Sequence, residues 1–225
     1  MSLQQGAPDA GRRVVLFDFD GVLIRDDAFG MFIRDRYARA WWRKLLVLLA
    51  SPWLLLVLPF SRRRIIRTLV RIGLLGVGEA RYRELAQAFA RVLVHRPRQF
   101  CREGVRTLRS HMAAGDRVVV VTGCEDTLVR GVLEGLGVDG VEVLASRLRA
   151  GPLGMRSEWH NVGRRKVELL AQHDIEAWQS AYSDSRHDLP ILALAAEAVL
   201  VNATPKLCKR VEKALGRSVT RVEWN

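Results

Sequence analysis

The sequence predicts an α/β protein: a parallel sheet covered by helices on both faces, interrupted near its start by an all-α insertion. Three observations carry that expectation. Short, β-rich apolar runs recur at Val14 to Phe17, Val118 to Val121 and Val199 to Val201. Helical patterns lie between and after them, and strands alternating with helices give βαβ units. Between the first two runs, the chain reads as helix throughout. With 225 residues, 49% apolar and 27% charged, the chain can bury a real core and is neither disordered nor fibrous.

Taken in order, the first strand runs into Phe17-Asp18-Phe19-Asp20-Gly21-Val22. The insertion then offers helices over Ala28 to Ala40, an apolar stretch over Leu45 to Phe60, and helices over Arg64 to Leu75 and Glu79 to Val94. Gly73, Gly76 and Gly78 mark a stop and Pro97 a new start. Pro52 and Pro59 break the apolar stretch, with Ser51-Pro52 reading as a cap and first turn. After the insertion come helical patterns at Phe100 to Ala114, Thr127 to Leu136, Arg165 to Ala171, Leu189 to Ala196 and Lys206 to Leu215. The expected division is a core of residues 1–27 and 104–225 around a helical cap of residues 28–103. No internal repeat is evident.

Ligands of open α/β sheets bind beyond the carboxyl ends of the strands, so the residues there are the candidates for chemistry. Strand alternation puts Asp18 and Asp20 on one side, and two carboxylates that close repel unless a cation separates them. Hard oxygen ligands in small number suit Mg²⁺; a solvated turn is the plainer alternative. Thr122-Gly123, after the second strand, offers a hydroxyl and free N–H groups to a phosphoryl oxygen, or simply caps a helix. Lys166, in Gly163-Arg164-Arg165-Lys166, offers an ammonium against developing negative charge, unless the three cations form a solvated face. In Tyr182-Ser183-Asp184-Ser185-Arg186-His187-Asp188-Leu189-Pro190, Asp184 is placed to complete a metal site, and Asp188 opens a helix. His187 is a base or surface decoration.

These four motifs, in this order, resemble the haloacid dehalogenase superfamily of phosphohydrolases, whose core is a Rossmann-like parallel sheet. The resemblance implies that Asp18 is the nucleophile of an aspartyl-phosphate route. It implies that Asp20 is the general acid and base, that Thr122 and Gly123 hold the phosphoryl group, and that Lys166 pins it to Asp18. It further implies Mg²⁺ held by Asp18, the Asp20 main-chain carbonyl and Asp184, with Asp188 in support. The inserted helices resemble the phosphoserine phosphatase-like branch, in which an acid nine places after the nucleophile touches substrate; here that is Asp27. Asp27 to Arg34, the proline-broken apolar stretch and Tyr182-Ser183-Asp184-Ser185 are similar to the bacterial phosphatidylglycerophosphatase C group. That similarity implies a lipid phosphomonoester as substrate and a place at the cytoplasmic face of the bacterial inner membrane, with the cytoplasm as alternative.

The net charge is +12. From Ala28 to Arg102, 16 basic residues face three acidic ones, so this segment at +13 holds the whole imbalance. Its partner should be anionic. Leu45 to Phe60 is uncharged but falls short of the ~20 residues a straight helix needs to cross a bilayer. Tryptophans and arginines at its margins suit an anionic membrane interface, and an in-plane or re-entrant hairpin is the favoured form. Cap core or a dimer interface is the alternative. A soluble phosphatase of phosphoserine or a sugar phosphate competes with the lipid enzyme, as does a non-enzymatic anionic-membrane module. Nucleic acid is disfavoured, because the basic residues flank leucines and do not interleave with exposed aromatics. Cys101, Cys124 and Cys208 are too widely spaced for a zinc ribbon or disulfide scaffold and read as idle thiols. No secretory h-region is expected before Arg12.

Overall fold

The computed structural model describes residues 12–224. Among them, the helices are α1 (Ala28–Ala38), α2 (Trp41–Val57), α3 (Arg62–Gly73), α4 (Glu79–Leu93), α5 (Arg102–Ala113), α6 (Asp126–Gly135), α7 (Arg164–Ala171), α8 (Leu189–Leu194) and α9 (Pro205–Leu215). The strands are β1 (Val14–Phe17), β2 (Arg117–Glu125), β3 (Glu142–Gly151), β4 (Gly154–Trp159), β5 (Trp178–Ser183), β6 (Ala195–Val201) and β7 (Thr220–Val222). They form one sheet in the order β4-β3-β2-β1-β5-β6-β7. Every neighbouring pair is parallel except β3 with β4.

The continuous apolar runs are explained by burial on both faces. Val15 and Phe17 enter one hydrophobic cluster while Leu16 enters the other; Val118 and Val120 likewise oppose Val119 and Val121. The chain leaves β1 for β2 and β3 on one side, then crosses to β5 and β6 on the other. The crevice at this reversal, beyond the carboxyl end of β1, is where such sheets take their ligands.

Helices α1 to α4 lie between β1 and β2, and α4 is fused to the core. Its Ala90 and Val94 approach α6 at Gly131 and Gly135, where an added Cβ would come within 3.1 Å and 2.9 Å of them. Phe32, Tyr82, Phe89 and Leu93 therefore share one cluster with the sheet face. At the neighbouring strand, Gly76 N–H donates to the Leu153 carbonyl (3.0 Å), joining the end of α3 to the β3–β4 turn. A Cβ on Gly154 (φ 128°) would collide with the Leu74 carbonyl, so only glycine fits this joint.

Several expectations need correction. Helix α2 runs straight through Pro52, so Ser51-Pro52 starts nothing. Pro52 has no N–H for the Leu48 carbonyl, and the Ser51 hydroxyl donates to it instead (2.7 Å). Pro97 does not open a helix; the next begins at Arg102. The apolar stretch is not the core of the cap, because α2 buries only Arg43 and Val57. Leu48, Leu49, Leu56 and Phe60 are 66%, 70%, 69% and 83% exposed. Among the described residues, no single helix is long and apolar enough to cross a membrane; α1 and α2 together pass by length and composition, bent by 104°. The β3–β4 hairpin and β7 were not anticipated.

Candidate active site

Strand β1 stops at Phe17, so Asp18 and Asp20 sit on the loop beyond it and strand alternation is not what brings them together. Turns do so. The Phe19 carbonyl accepts from Leu23 N (2.9 Å) and Ile24 N (3.1 Å), and Gly21 N donates to Ile24 O (2.6 Å). Asp18 is anchored by its own N–H on the Tyr182 carbonyl (2.9 Å), which extends the β1–β5 pairing by one residue. Its Oδ1 accepts from Phe19 N (2.8 Å) and lies 3.1 Å from Lys166 Nζ.

Lys166 lies in the first turn of α7, after Gly163 at φ 65°. It is buried and bridges two acids, since Nζ also donates to Asp188 Oδ2 at 2.8 Å. Asp188 does not cap α8 with its side chain. Its Oδ2 instead accepts from Lys166 and from the Ser183 hydroxyl (2.8 Å). Ser183, at the end of β5, carries no role in the sequence reading; a hydroxyl immediately before the strand-end Asp184 is the signal that would have found it. Arg164 and Arg165 are exposed, and Arg165 stacks over the Trp159 ring at 5.0 Å.

The electrostatics follow from burial. Burial lifts the Asp18 carboxyl well above the usual range; Lys166 opposes this while Asp188 and Asp20 reinforce it. Burial likewise raises Asp20 to about 7, against the Ala28 N–H and with the help of Asp27 and Asp184. Asp184 is raised by burial and by Asp188. Burial pushes Asp188 up too, but the Lys166 ammonium and hydrogen bonds hold it below the ordinary value. Burial alone would lower Lys166, yet Asp18 and Asp188 outweigh it and raise it. One ammonium thus serves a cluster with more acids than it can neutralise.

That excess suits a hard divalent cation. Among the described residues, no three His, Cys, Asp or Glu side chains form a metal-holding group. The set implied above needs only two, Asp18 and Asp184, plus the Asp20 carbonyl. The donors fit it in two respects. The Asp20 side chain is turned to the Ala28 N–H (2.9 Å), which leaves its main-chain oxygen for the role. Asp184 lies so close to Gly21 (φ 77°) that any Cβ there would collide with its carboxylate. Bound Mg²⁺ would supply charge neutralisation for a phosphoryl oxygen beside Asp18.

The remaining candidates fall as follows. Thr122 and Gly123 lie inside β2, not after it, because the strand continues irregularly to Glu125. Thr122 is buried, its Oγ1 accepts from Cys124 N (3.0 Å), and α6 is capped by Glu125 and not by Thr122. Gly123 is tight against Val162, whose Cγ2 would stand 2.9 Å from an added Cβ. Asp27 caps α1 through Gly30 N (2.8 Å) at the rim, near enough to Asp20 to raise it. His187 is exposed. The three cysteines are buried free thiols. Sequence reasoning also missed Tyr82, whose hydroxyl donates to Glu125 Oε2 at 2.5 Å and ties α4 to the end of β2.

A model of haloacid dehalogenase-like hydrolases matches residues 15–193. Protein CicA of Caulobacter vibrioides is 29% identical over 191 residues, covering 82% of this chain and 83% of that protein. A protein of unknown function from Bordetella pertussis Tohama I superposes with a TM-score of 0.69 at 20% identity, over 93% of this chain and 98% of that one. A substrate-bound phosphoserine phosphatase superposes with a TM-score of 0.58 at 16% identity, over 94% and 92%. At these identities the two solved structures speak for the fold.

Proposed function

Since the chain belongs to the haloacid dehalogenase-like hydrolase family, we propose that it is a Mg²⁺-dependent phosphomonoester hydrolase acting on a lipid phosphate at an anionic membrane surface. The observation that carries the chemistry is Asp18 held between the Phe19 N–H and Lys166 Nζ, with Asp20 poised at about 7 nearby. An Asp18 oxygen attacks phosphorus, and the bond from phosphorus to the ester oxygen breaks. The Asp20 carboxyl gives its proton to the departing alkoxide. Water then attacks the aspartyl-phosphate and passes a proton to Asp20, releasing Asp18 and inorganic phosphate. Lys166 stays protonated throughout, and Asp188 and Ser183 keep it aimed at the nucleophile. Thr122 and Gly123 are assigned to hold the phosphoryl oxygens.

What supports a lipid over phosphoserine or a sugar phosphate is α2. A soluble substrate gives no reason for its row of exposed leucines beside Arg62, Arg63 and Arg64, whereas the headgroup and acyl layers of an anionic leaflet match both. The cytoplasmic face of a bacterial inner membrane is the proposed location. The test is phosphate release from phosphatidylglycerophosphate in mixed micelles with Mg²⁺. Turnover that exceeds that of phosphoserine and is abolished by chelation is expected. Equal or better turnover of phosphoserine would overturn the lipid assignment.

A further inference from the structure

The groove between α1, α2 and α3 is not used by the chemistry above. It encloses about 450 Å³, within the ~300–1,000 Å³ typical of small-molecule sites. Its walls are Phe29 and Ile33 of α1, Val47 of α2, and Ile66, Leu69 and Val70 of α3. The Tyr37 hydroxyl donates to the Leu69 carbonyl (2.6 Å), fixing α1 against α3 along it. Two cations, Arg34 and Lys44, stand on the same lining. Among the described residues neither has an ion-pair or hydrogen-bond partner beyond its helix. The nearby acids are spent: Asp27 on the Gly30 N–H and Asp35 on Arg39 (2.6 Å).

Two parts of the lining matter most. One is Asp27, whose neighbour Ala28 donates its N–H to Asp20 Oδ1, so this part adjoins the catalytic acid. The other is Val47 and Ile66, beside the exposed Leu48 and Leu49. An apolar groove with two unpaired cations, bordered by Asp27 beside the Ala28–Asp20 hydrogen bond and by Val47 beside the exposed Leu48, matches one kind of molecule. That molecule has a terminal phosphate, an internal anion and a hydrocarbon tail.

Resting on the lipid-phosphatase reading, we infer that this groove seats the phosphodiester and acyl-glycerol part of a glycerophospholipid substrate. Arg34 and Lys44 meet the phosphodiester, and the apolar walls take the start of an acyl chain. The occupant is a lipid drawn from the leaflet, since a free sugar or amino-acid phosphate has nothing to fill the walls.

The test uses the full chain with phosphatidylglycerophosphate in mixed micelles and p-nitrophenyl phosphate as the soluble reference. Leu69→Trp, which fills the groove, and Arg34→Gln/Lys44→Gln, which removes its charge, are each expected to lower the lipid-to-soluble ratio of kcat/KM by about tenfold or more, chiefly through KM. Ratios within about twofold of wild type for both variants would overturn the groove while leaving lipid hydrolysis intact. A second readout is independent of turnover: vesicles containing phosphatidylglycerol with a photoreactive acyl chain are irradiated with the wild-type protein. Labelling of Ile33, Leu69 or Val70 is expected. Label confined to the outer side of α2 would overturn the assignment. A wild type that cleaves only the soluble ester sinks the lipid reading and the groove with it.

Discussion

Asp18, Asp20 and Asp184 crowd around a single lysine, and each behaves as an acid too weak for its type because burial penalises its charge. Between the ordinary carboxylate range and about 7, the folded chain keeps protons that the unfolded chain has released. In metal-free protein, Asp20's contribution to stability is therefore greatest at acid pH and is lost as pH rises through that window, and Asp18 and Asp184, also raised, act in the same direction. Asp188, held low, runs the other way and loses its contribution as pH falls. Mg²⁺ favours the charged carboxylates, so it should raise the melting temperature at about pH 8 and scarcely at all at about pH 5. Calorimetry with and without Mg²⁺ checks this, and equal gains at both pH values would contradict the assigned site. Asp18→Asn should remove phosphate release by about 10³-fold or more, and Asp20→Asn by about 10²- to 10⁴-fold. Gly21→Ala displaces Asp184 and should weaken Mg²⁺ binding by about tenfold or more, as measured by the Mg²⁺ dependence of turnover.

Between elements, the joint most open to test is the hydrogen bond from Tyr82 to Glu125. Glu125 is buried and also caps α6 through Leu128 N (3.1 Å), so Tyr82→Phe leaves a buried carboxylate short of a donor. The expected cost is about 1–3 kcal/mol in urea unfolding. A loss indistinguishable from zero would mean that solvent replaces the phenol. Such joints also mark what the sequence hides. Asp18, Asp20 and Asp184 were legible because each follows an apolar run within a few residues, so local pattern and local chemistry coincide, whereas Lys166 follows Gly163-Arg164-Arg165 and was legible only by its place in the order of motifs. Tyr82 and Glu125 are 43 positions apart, and nothing near either names the other. The β3–β4 hairpin escaped because Arg147, Arg149 and Arg156 dilute its apolar pattern, although Gly151-Pro152-Leu153-Gly154 is a turn signal. The continuity of α2 escaped because a proline rule ignores a serine hydroxyl one residue earlier that serves the stranded carbonyl.

For the molecule as a whole, the charge of residues 28–102 and the exposed face of α2 belong to one surface problem. Each basic residue near an anionic leaflet adds about 1 kcal/mol, so flotation with acidic vesicles should be strong at low salt and weaken as salt rises. Replacing Leu48, Leu49, Leu55 and Leu56 by Ser should leave the protein in the aqueous fraction even at low salt, whereas undiminished flotation would move the contact elsewhere. The helices that would make this contact are stitched to the carboxyl ends of the neighbouring strands β2 and β3, by Tyr82 to Glu125 and by Gly76 to Leu153. Tied at these two points, the helices keep a set position over the strand ends. Were α2 to rest on a surface, they would act as a ruler, holding the Asp18 carboxylate at one set height above it and sorting substrates by how far their terminal phosphate reaches.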